Sequence, residues 1–219
     1  MNLLAIDTST SRASVAVSCG SRVFTEVNEH VKEHAGNIIP MVERVLHDAQ
    51  LSLHDLEGFV VGQGPGSFTG LRIACSVVQG FAVGCDLPVY PVSGLAAIAF
   101  AVHQKHAESG EDYPVLALID ARMNQLYGAI YDSAMQTPGE WVHGVDDITL
   151  PKDQPLRIAG VGLAEYWPQW LLKHPGMVYD EVYPDASTMI AWVKTGKIAP
   201  LTAAQVQPVY VRNQVTQGK

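Results

Sequence analysis

Residues 58–85 read GFVVGQGPGSFTGLRIACSVVQGFAVGC. The stretch opens on an apolar run over 58–62, bends through glycines and a proline, and resumes as a long apolar segment from about 69 to 85. A short apolar run bounded by turn residues is a buried strand. The longer segment is a helix with apolar residues nearly all round, which predicts cover by protein on more than one side. The loop between them fits no nucleotide pattern. A P-loop counted from Gly64 needs glycine where Thr69 stands, with a Lys-Ser/Thr pair after it, and the dinucleotide fingerprint fails at Ser67 and again at Thr69. Two readings stay open. One is a strand-to-helix turn that uses glycine for positive φ and Ser67 or Thr69 as cap. The other is an anion site at a helix N-terminus.

Upstream, apolar or alternating runs at 3–6, 13–17 and 22–27 are separated by the turns DTSTS and CGS, the pattern of a three-stranded antiparallel meander. Residues 37–50, NIIPMVERVLHDAQ, carry apolar side chains at helical spacing, with Pro40 inside the first turn. Downstream come a strand at 89–92 and a helix from a Ser93 cap to about 106. The polar stretch HAESGEDY, 106–113, then divides the chain. The second half restarts with strands at 115–119 and 126–131, an irregular region with some strand over 132–156, and a strand at 157–161. Helices are expected at 164–173 and 186–194, and an extended tail over 200–213. Strands followed by strand–helix alternation, begun twice, give an α/β class with two related lobes. The expected lobes are 1–106 and 107–219, with the tail from about 206 returning to the first.

The 219 residues are 47% hydrophobic and 16% charged, with a formal net charge of -8. Phosphate contacts rest on clustered Lys and Arg, so the acidic balance argues against unaided nucleic-acid binding. Cys75 and Cys85 fall ten positions apart on one expected helix, roughly 15 Å by helical rise, too far for a disulfide. Buried thiols in a reducing compartment follow. The start, MNLLAIDTST, lacks a basic region and meets an aspartate at position seven, unlike a signal peptide. The longest apolar run, 94–102, is short of a membrane span, so a cytoplasmic protein with no membrane partner is expected.

Two further motifs could carry chemistry. His30-Val31-Lys32-Glu33-His34 matches the H-x-x-E-H string of inverzincins, yet it sits at a strand–helix junction with no distal acidic ligand, and the reading favoured is a solvated connector with His34 near the helix start. Asp7-Thr8-Ser9-Thr10-Ser11 puts an acid before hydroxyls at a hairpin turn. Such a turn can hold a metal-bound phosphate, and it is also ordinary turn chemistry, since these side chains bond their own backbone. No G-x-S-x-G nucleophile elbow occurs.

LLAIDTSTSRASVAV, HAGNIIPMVERVL, GQGPGSFTGLRIACSVVQGFA, ALIDARMNQLYGAIY and the terminal PVYVR, in that order, resemble the bacterial TsaB (YeaZ) family of tRNA threonylcarbamoyladenosine biosynthesis proteins. The resemblance implies an actin/sugar-kinase/Hsp70-like (ASKHA) fold of two duplicated lobes. It also implies kinship with TsaD, the catalytic subunit that transfers threonylcarbamoyl to the adenosine beside the anticodon (t6A) in tRNAs reading codons that begin with A. In that sister a histidine pair binds metal; here Ser93 and Ala97 occupy the corresponding positions. Its glycine-rich nucleotide loop is replaced by Ile119-Asp120-Ala121-Arg122-Met123.

The resemblance therefore implies a non-catalytic scaffold without cofactor or metal, Asp7, Thr8, Ser9 and Thr10 being vestigial cofactor positions. The implied partners are TsaD and the ATPase TsaE, with tRNA reached only through the complex and a homodimer when the chain is alone. Pairing is expected through one stripe of each of two helices: Ile38, Val42 and Val45 on the first, Gly70, Ala74, Val77, Val78 and Phe81 on the second. The rival readings are an ATP-binding or ATP-hydrolysing sugar-kinase-like enzyme and a metal-dependent glycoprotease-like protein.

Overall fold

A computed structural model describes residues 1–29, 34–109, 113–137, 139–150, 155–168, 170 and 179–211. Strands β1 (Leu3–Asp7), β2 (Ala13–Cys19), β3 (Arg22–Asn28), β4 (Gly58–Gly64) and β5 (Val89–Ser93) form one sheet in the order β3-β2-β1-β4-β5. The first three are antiparallel neighbours; β4 joins β1, and β5 joins β4, in parallel. Helix α1 (His34–Ala49) packs on β2 and β3, and α2 (Phe68–Cys85) on β4. Near the C-terminus α4 (Ala186–Val193) packs on β2, β1 and β4.

Strands covered on both faces read as continuous apolar runs, and edge strands alternate. LLAID of β1 is buried at every position, whereas β3 at the edge alternates, with Phe24 turned into the core and Val23 and Val27 exposed. Helix α1 begins at His34, earlier than the expected 37. Pro40 therefore lies a turn deeper, and the Gly36 carbonyl, at the solvent side, has no N–H four residues on.

The second sheet is built from β6 (Val115–Asp120), β7 (Gln125–Tyr131), β8 (Trp141–Gly144), β9 (Arg157–Val161) and β10 (Tyr179–Glu181), in the order β10-β9-β6-β7-β8. Here too the first three strands run antiparallel and the last two add in parallel. Central strand, two antiparallel neighbours on one side, two parallel neighbours on the other: the two sheets have one topology. This doubled mixed sheet with flanking helices is the ASKHA architecture. Strand β8 gives form to part of the stretch read as irregular, and β10 was not anticipated. The expected helix at 164–173 lies partly outside the described residues.

By contacts, residues 1–97 with 184–209 form one compact unit and 98–183 with 210–219 the other. The expected line between lobes was 106/107. The difference arises because α3 (Gly94–His106) crosses from one unit to the other, and because α4 and the segment after it pack on the first sheet. That segment is held by Val89 and Leu201, which exchange backbone hydrogen bonds, and by Gln79 of α2, whose amide donates to the carbonyls of Ala203 and Val206 at 3.3 and 2.8 Å. It contains a single 3-10 turn, Ala203–Gln205, rather than a fully extended run.

Helix α2 is covered less than its composition suggests. Gly70, Leu71, Ala74, Cys75, Val78 and Ala82 face inward, while Phe68, Arg72, Ser76, Gly80 and Val83 share an exposed stripe. By length and mean hydropathy of 1.4 it could cross a membrane. Its inner face packs on β4 and both its ends are capped. Ser67 Oγ accepts from the Gly70 N–H at one end, and Asp86 closes the other in the left-handed conformation.

Candidate functional site

The turn DTSTS and the glycine loop, distant in sequence, meet at one corner of the first sheet. The loop amide of Ser67 donates to the Ser9 carbonyl at 2.7 Å. The Thr8 hydroxyl donates to the Gly70 carbonyl at 2.6 Å. The glycines permit this approach. A Cβ on Gly70 would stand 1.8 Å from the Thr8 carbonyl oxygen, one on Gly66 2.2 Å from that of Ser9, and one on Gly62 1.8 Å from Asp7 Oδ2. At Gly70 and Gly66 the atom met is backbone, which would have to move, and at Gly62 it is the Asp7 side chain. The glycines are therefore the print of the turn against the loop and the first turn of α2, which favours the strand-to-helix reading over an anion cradle. Ser67, not Thr69, is the cap.

Asp7 ends β1 and is completely buried. Its Oδ1 accepts from the Ser9 amide at 3.1 Å and the Ser9 hydroxyl at 2.9 Å, an Asx turn. Its Oδ2 has no hydrogen-bond partner among the described residues. Desolvation dominates: it pushes the Asp7 carboxyl up to about 7, against the Ser9 bonds that lower it, with the Asp185 charge adding to the rise. Cys75, on the inner face of α2, is pushed up to about 11 by burial and by the Asp7 charge, so this thiol is inert. Asp185 caps α4, accepting from the Ser187 and Thr188 amides, and faces Arg12 at 3.8 Å. The Ala186 amide donates to Ser14 Oγ at 3.0 Å. Thr8, Ser9 and Thr10 are buried as well. What such a corner does chemically is hold the turn, the loop and two helix starts together.

The remaining expected positions fall as follows. Ser93 Oγ accepts from the Ala96 amide and caps α3, and Ala97 is buried. Among the described residues no group of three or more His, Cys, Asp or Glu is placed to hold a metal ion. His30–Glu33 lie outside the described residues, and His34 opens α1.

Of the stripe expected to pair, Ile38, Val42, Val45, Ala74 and Val78 are buried in the core of their own unit, as is Gly70. Val77 and Phe81 are partly buried against that core, Phe81 stacking on Phe59 at 5.9 Å. The physical reason is that a helical apolar stripe is first of all the side facing its own sheet. The exposed apolar residues of α1 and α2 are Ile39 at 42%, Phe68 at 48% and Val83 at 73%. Phe68 lies under the Arg72 guanidinium, 3.9 Å from ring centre to Cζ.

A related corner sits in the second unit. Asp120 ends β6, and its Oδ1 accepts from the Arg122 amide at 2.8 Å and from the Tyr166 hydroxyl at 3.1 Å. The Arg122 guanidinium lies 3.4 Å from its Oδ2. Arg122, Met123 and Asn124 all take the left-handed conformation, a tight turn between β6 and β7. The equivalence of Asp7 and Asp120 escaped the sequence reading. The shared Ile-Asp at the end of two apolar runs was the available signal.

The family model for TsaD, described as tRNA N6-adenosine threonylcarbamoyltransferase, matches residues 27–162. A Haemophilus influenzae protein named tRNA threonylcarbamoyladenosine biosynthesis protein TsaB is 34% identical, over 100% of this chain and 97% of its own length. The Escherichia coli protein of the same name is 34% identical over 100% and 98%. Among solved structures, YeaZ from Pseudomonas aeruginosa superposes with a TM-score of 0.80 at 31% identity, covering 95% of this chain and 99% of that one.

Proposed function

This chain belongs to the TsaB family of tRNA threonylcarbamoyladenosine biosynthesis proteins, and from that premise we propose that it serves as a non-catalytic scaffold subunit. Its role lies in making threonylcarbamoyladenosine in tRNA. Within that role it pairs with TsaD, assembles with TsaE, meets tRNA only through the complex, self-associates when alone, and works in the cytoplasm.

The observation that carries this reading is the corner of the first sheet. The loop amide of Ser67 and the inward sides of Gly62, Gly66 and Gly70 are already engaged by residues 7–9 of the same chain. A phosphate cradle needs such amides turned toward a ligand. The cap at Ser93 and the small buried Ala97 support the same reading, since neither side chain is a useful transition-metal ligand. The net charge of -8 supports reaching tRNA through a partner.

The pairing face proposed is the outer side of α1 and α2, with Ile39, Phe68 and Val83 as its apolar points and the stripe at 38–45 and 70–81 as the core that holds the helices in place. The test is reconstitution with TsaD, TsaE and the threonylcarbamoyl donor, omitting each protein in turn. The scaffold reading expects co-purification with TsaD, no ATP turnover or bound zinc or iron in the isolated chain, and loss of tRNA modification when this chain is left out. ATP turnover by the isolated chain, abolished by Asp7→Asn, would establish the sugar-kinase-like rival instead.

A further inference from the structure

A carboxyl with no exposure, one of its two oxygens lacking any partner among the described residues, is costly to hold as an anion. We propose that Asp7 is a proton-operated latch: as the neutral acid it lets the β1–β2 turn seat against the glycine loop, and its ionisation loosens the seating of α2. This role is additional to the scaffold reading and does not depend on it.

From β4 the carboxyl meets Gly62, which brings backbone and no charge. From α2 it meets Cys75, whose thiol is held neutral. From β2 comes the Ser14 hydroxyl, engaged by the Ala186 amide. The charged groups near it are Asp185, before α4, and Arg12, in the turn. Arg12 is paired with Asp185, so it offsets that carboxylate first. Among the described residues only Ser9 stabilises the Asp7 anion by hydrogen bonds, and it does so through Oδ1 alone. An anion at Oδ2 therefore finds relief only when the turn lifts and admits water. The turn cannot lift without releasing Ser67 N–H from Ser9 and the Thr8 hydroxyl from Gly70, two bonds that tie the start of α2 to the turn.

The sign follows from linkage. A carboxyl raised in the folded state contributes stability that is fully present below its ordinary value of 3.8 and is lost as pH rises through about 7. Between pH 6 and pH 8.5 the equilibrium for seating the turn should weaken about tenfold.

The experiment is hydrogen exchange at the Ser67 and Gly70 amides of the full chain, corrected for intrinsic rates, at pH 6 and pH 8.5, beside Asp7→Asn. The wild type should lose about tenfold in protection at those amides, and Asp7→Asn should not change. Equal pH dependence in both proteins would overturn the proposal. Should Asp7→Asn not fold, carbon-detected titration of the wild-type aspartates decides the matter. A carboxyl titrating near neutrality together with the Ser67 amide supports the latch, and an Asp7 ionised throughout refutes it.

Discussion

At the end of its central strand each sheet carries Ile-Asp, and the neighbouring parallel strand delivers a glycine opposite the aspartate. Ile6 pairs with Val61, so Asp7 faces Gly62; Ile119 pairs with Val161, so Asp120 faces Gly162. The frame is shared, and the surroundings of the two carboxylates differ. Asp7 is roofed by the glycine loop and α2, loses all solvent and keeps one oxygen without a partner. Asp120 keeps some solvent and shares its oxygens among an amide, a tyrosine hydroxyl and a guanidinium. The same backbone corner thus supports either a sealed joint or an open polar turn. The glycine loop after β4 brings a helix down on Asp7, whereas the described residues after β9 bring the Tyr166 hydroxyl to an Asp120 that keeps some solvent.

The largest effect should come from Gly62→Ala. Its Cβ would stand 1.8 Å from Asp7 Oδ2, an oxygen of a fully buried carboxyl, so the side chain must shift within the core. A loss of roughly 3 kcal/mol by denaturant unfolding is expected. Adding Asp7→Ala removes the clashing oxygen, so the double variant should recover more than about 1 kcal/mol of that loss. At the equivalent position Gly162→Ala should cost about 1–2 kcal/mol, from its φ of +77° and from the Asp120 Cβ 2.7 Å away. Here the contacting atom is a Cβ that alanine also has, so Asp120→Ala should give no recovery. Coupling of equal size in the two cycles would dissolve the distinction between the corners.

The smallest effect belongs to Asp120→Asn, expected to cost under about 1 kcal/mol because the carboxylate is partly solvated and its guanidinium partner is exposed. Tyr166 supplies the readout. Its hydroxyl is raised by desolvation and then by the bond to Asp120, so the substitution should bring its titration down, as followed by ultraviolet absorbance. A Tyr166 titration that did not move would mean Asp120 and Tyr166 are not joined in solution.

The strands of the first sheet were legible because burial on both faces writes itself as uninterrupted runs such as LLAI and FVV. The doubling was legible from element order. Strand β10, three residues long, has no room for a periodic signal. Both halves of the Asp7 corner stood out in the sequence, yet their contact did not, because 62 residues separate Thr8 from Gly70. The pairing stripe is a different case. The 3.6-residue period reports which side of a helix is apolar, and Ile38 and Val78 are apolar for their own sheet. The large apolar residues that α1 and α2 leave exposed, Ile39, Phe68 and Val83, are too few to set an apolar period of their own.

The working surface proposed for this chain is the outside of α2, with the Asp7 corner as its internal support. The direct test is threonylcarbamoyladenosine formed in tRNA by the reconstituted system supplied with Asp7→Asn or with the Phe68→Glu, Val83→Glu pair, at pH 7 and with folding verified by thermal melting. The account predicts that Asp7→Asn modifies tRNA at the wild-type level, while the folded outer-face variant loses TsaD binding and at least tenfold in product. A folded Asp7→Asn without activity, beside an outer-face variant that still binds and works, would contradict it.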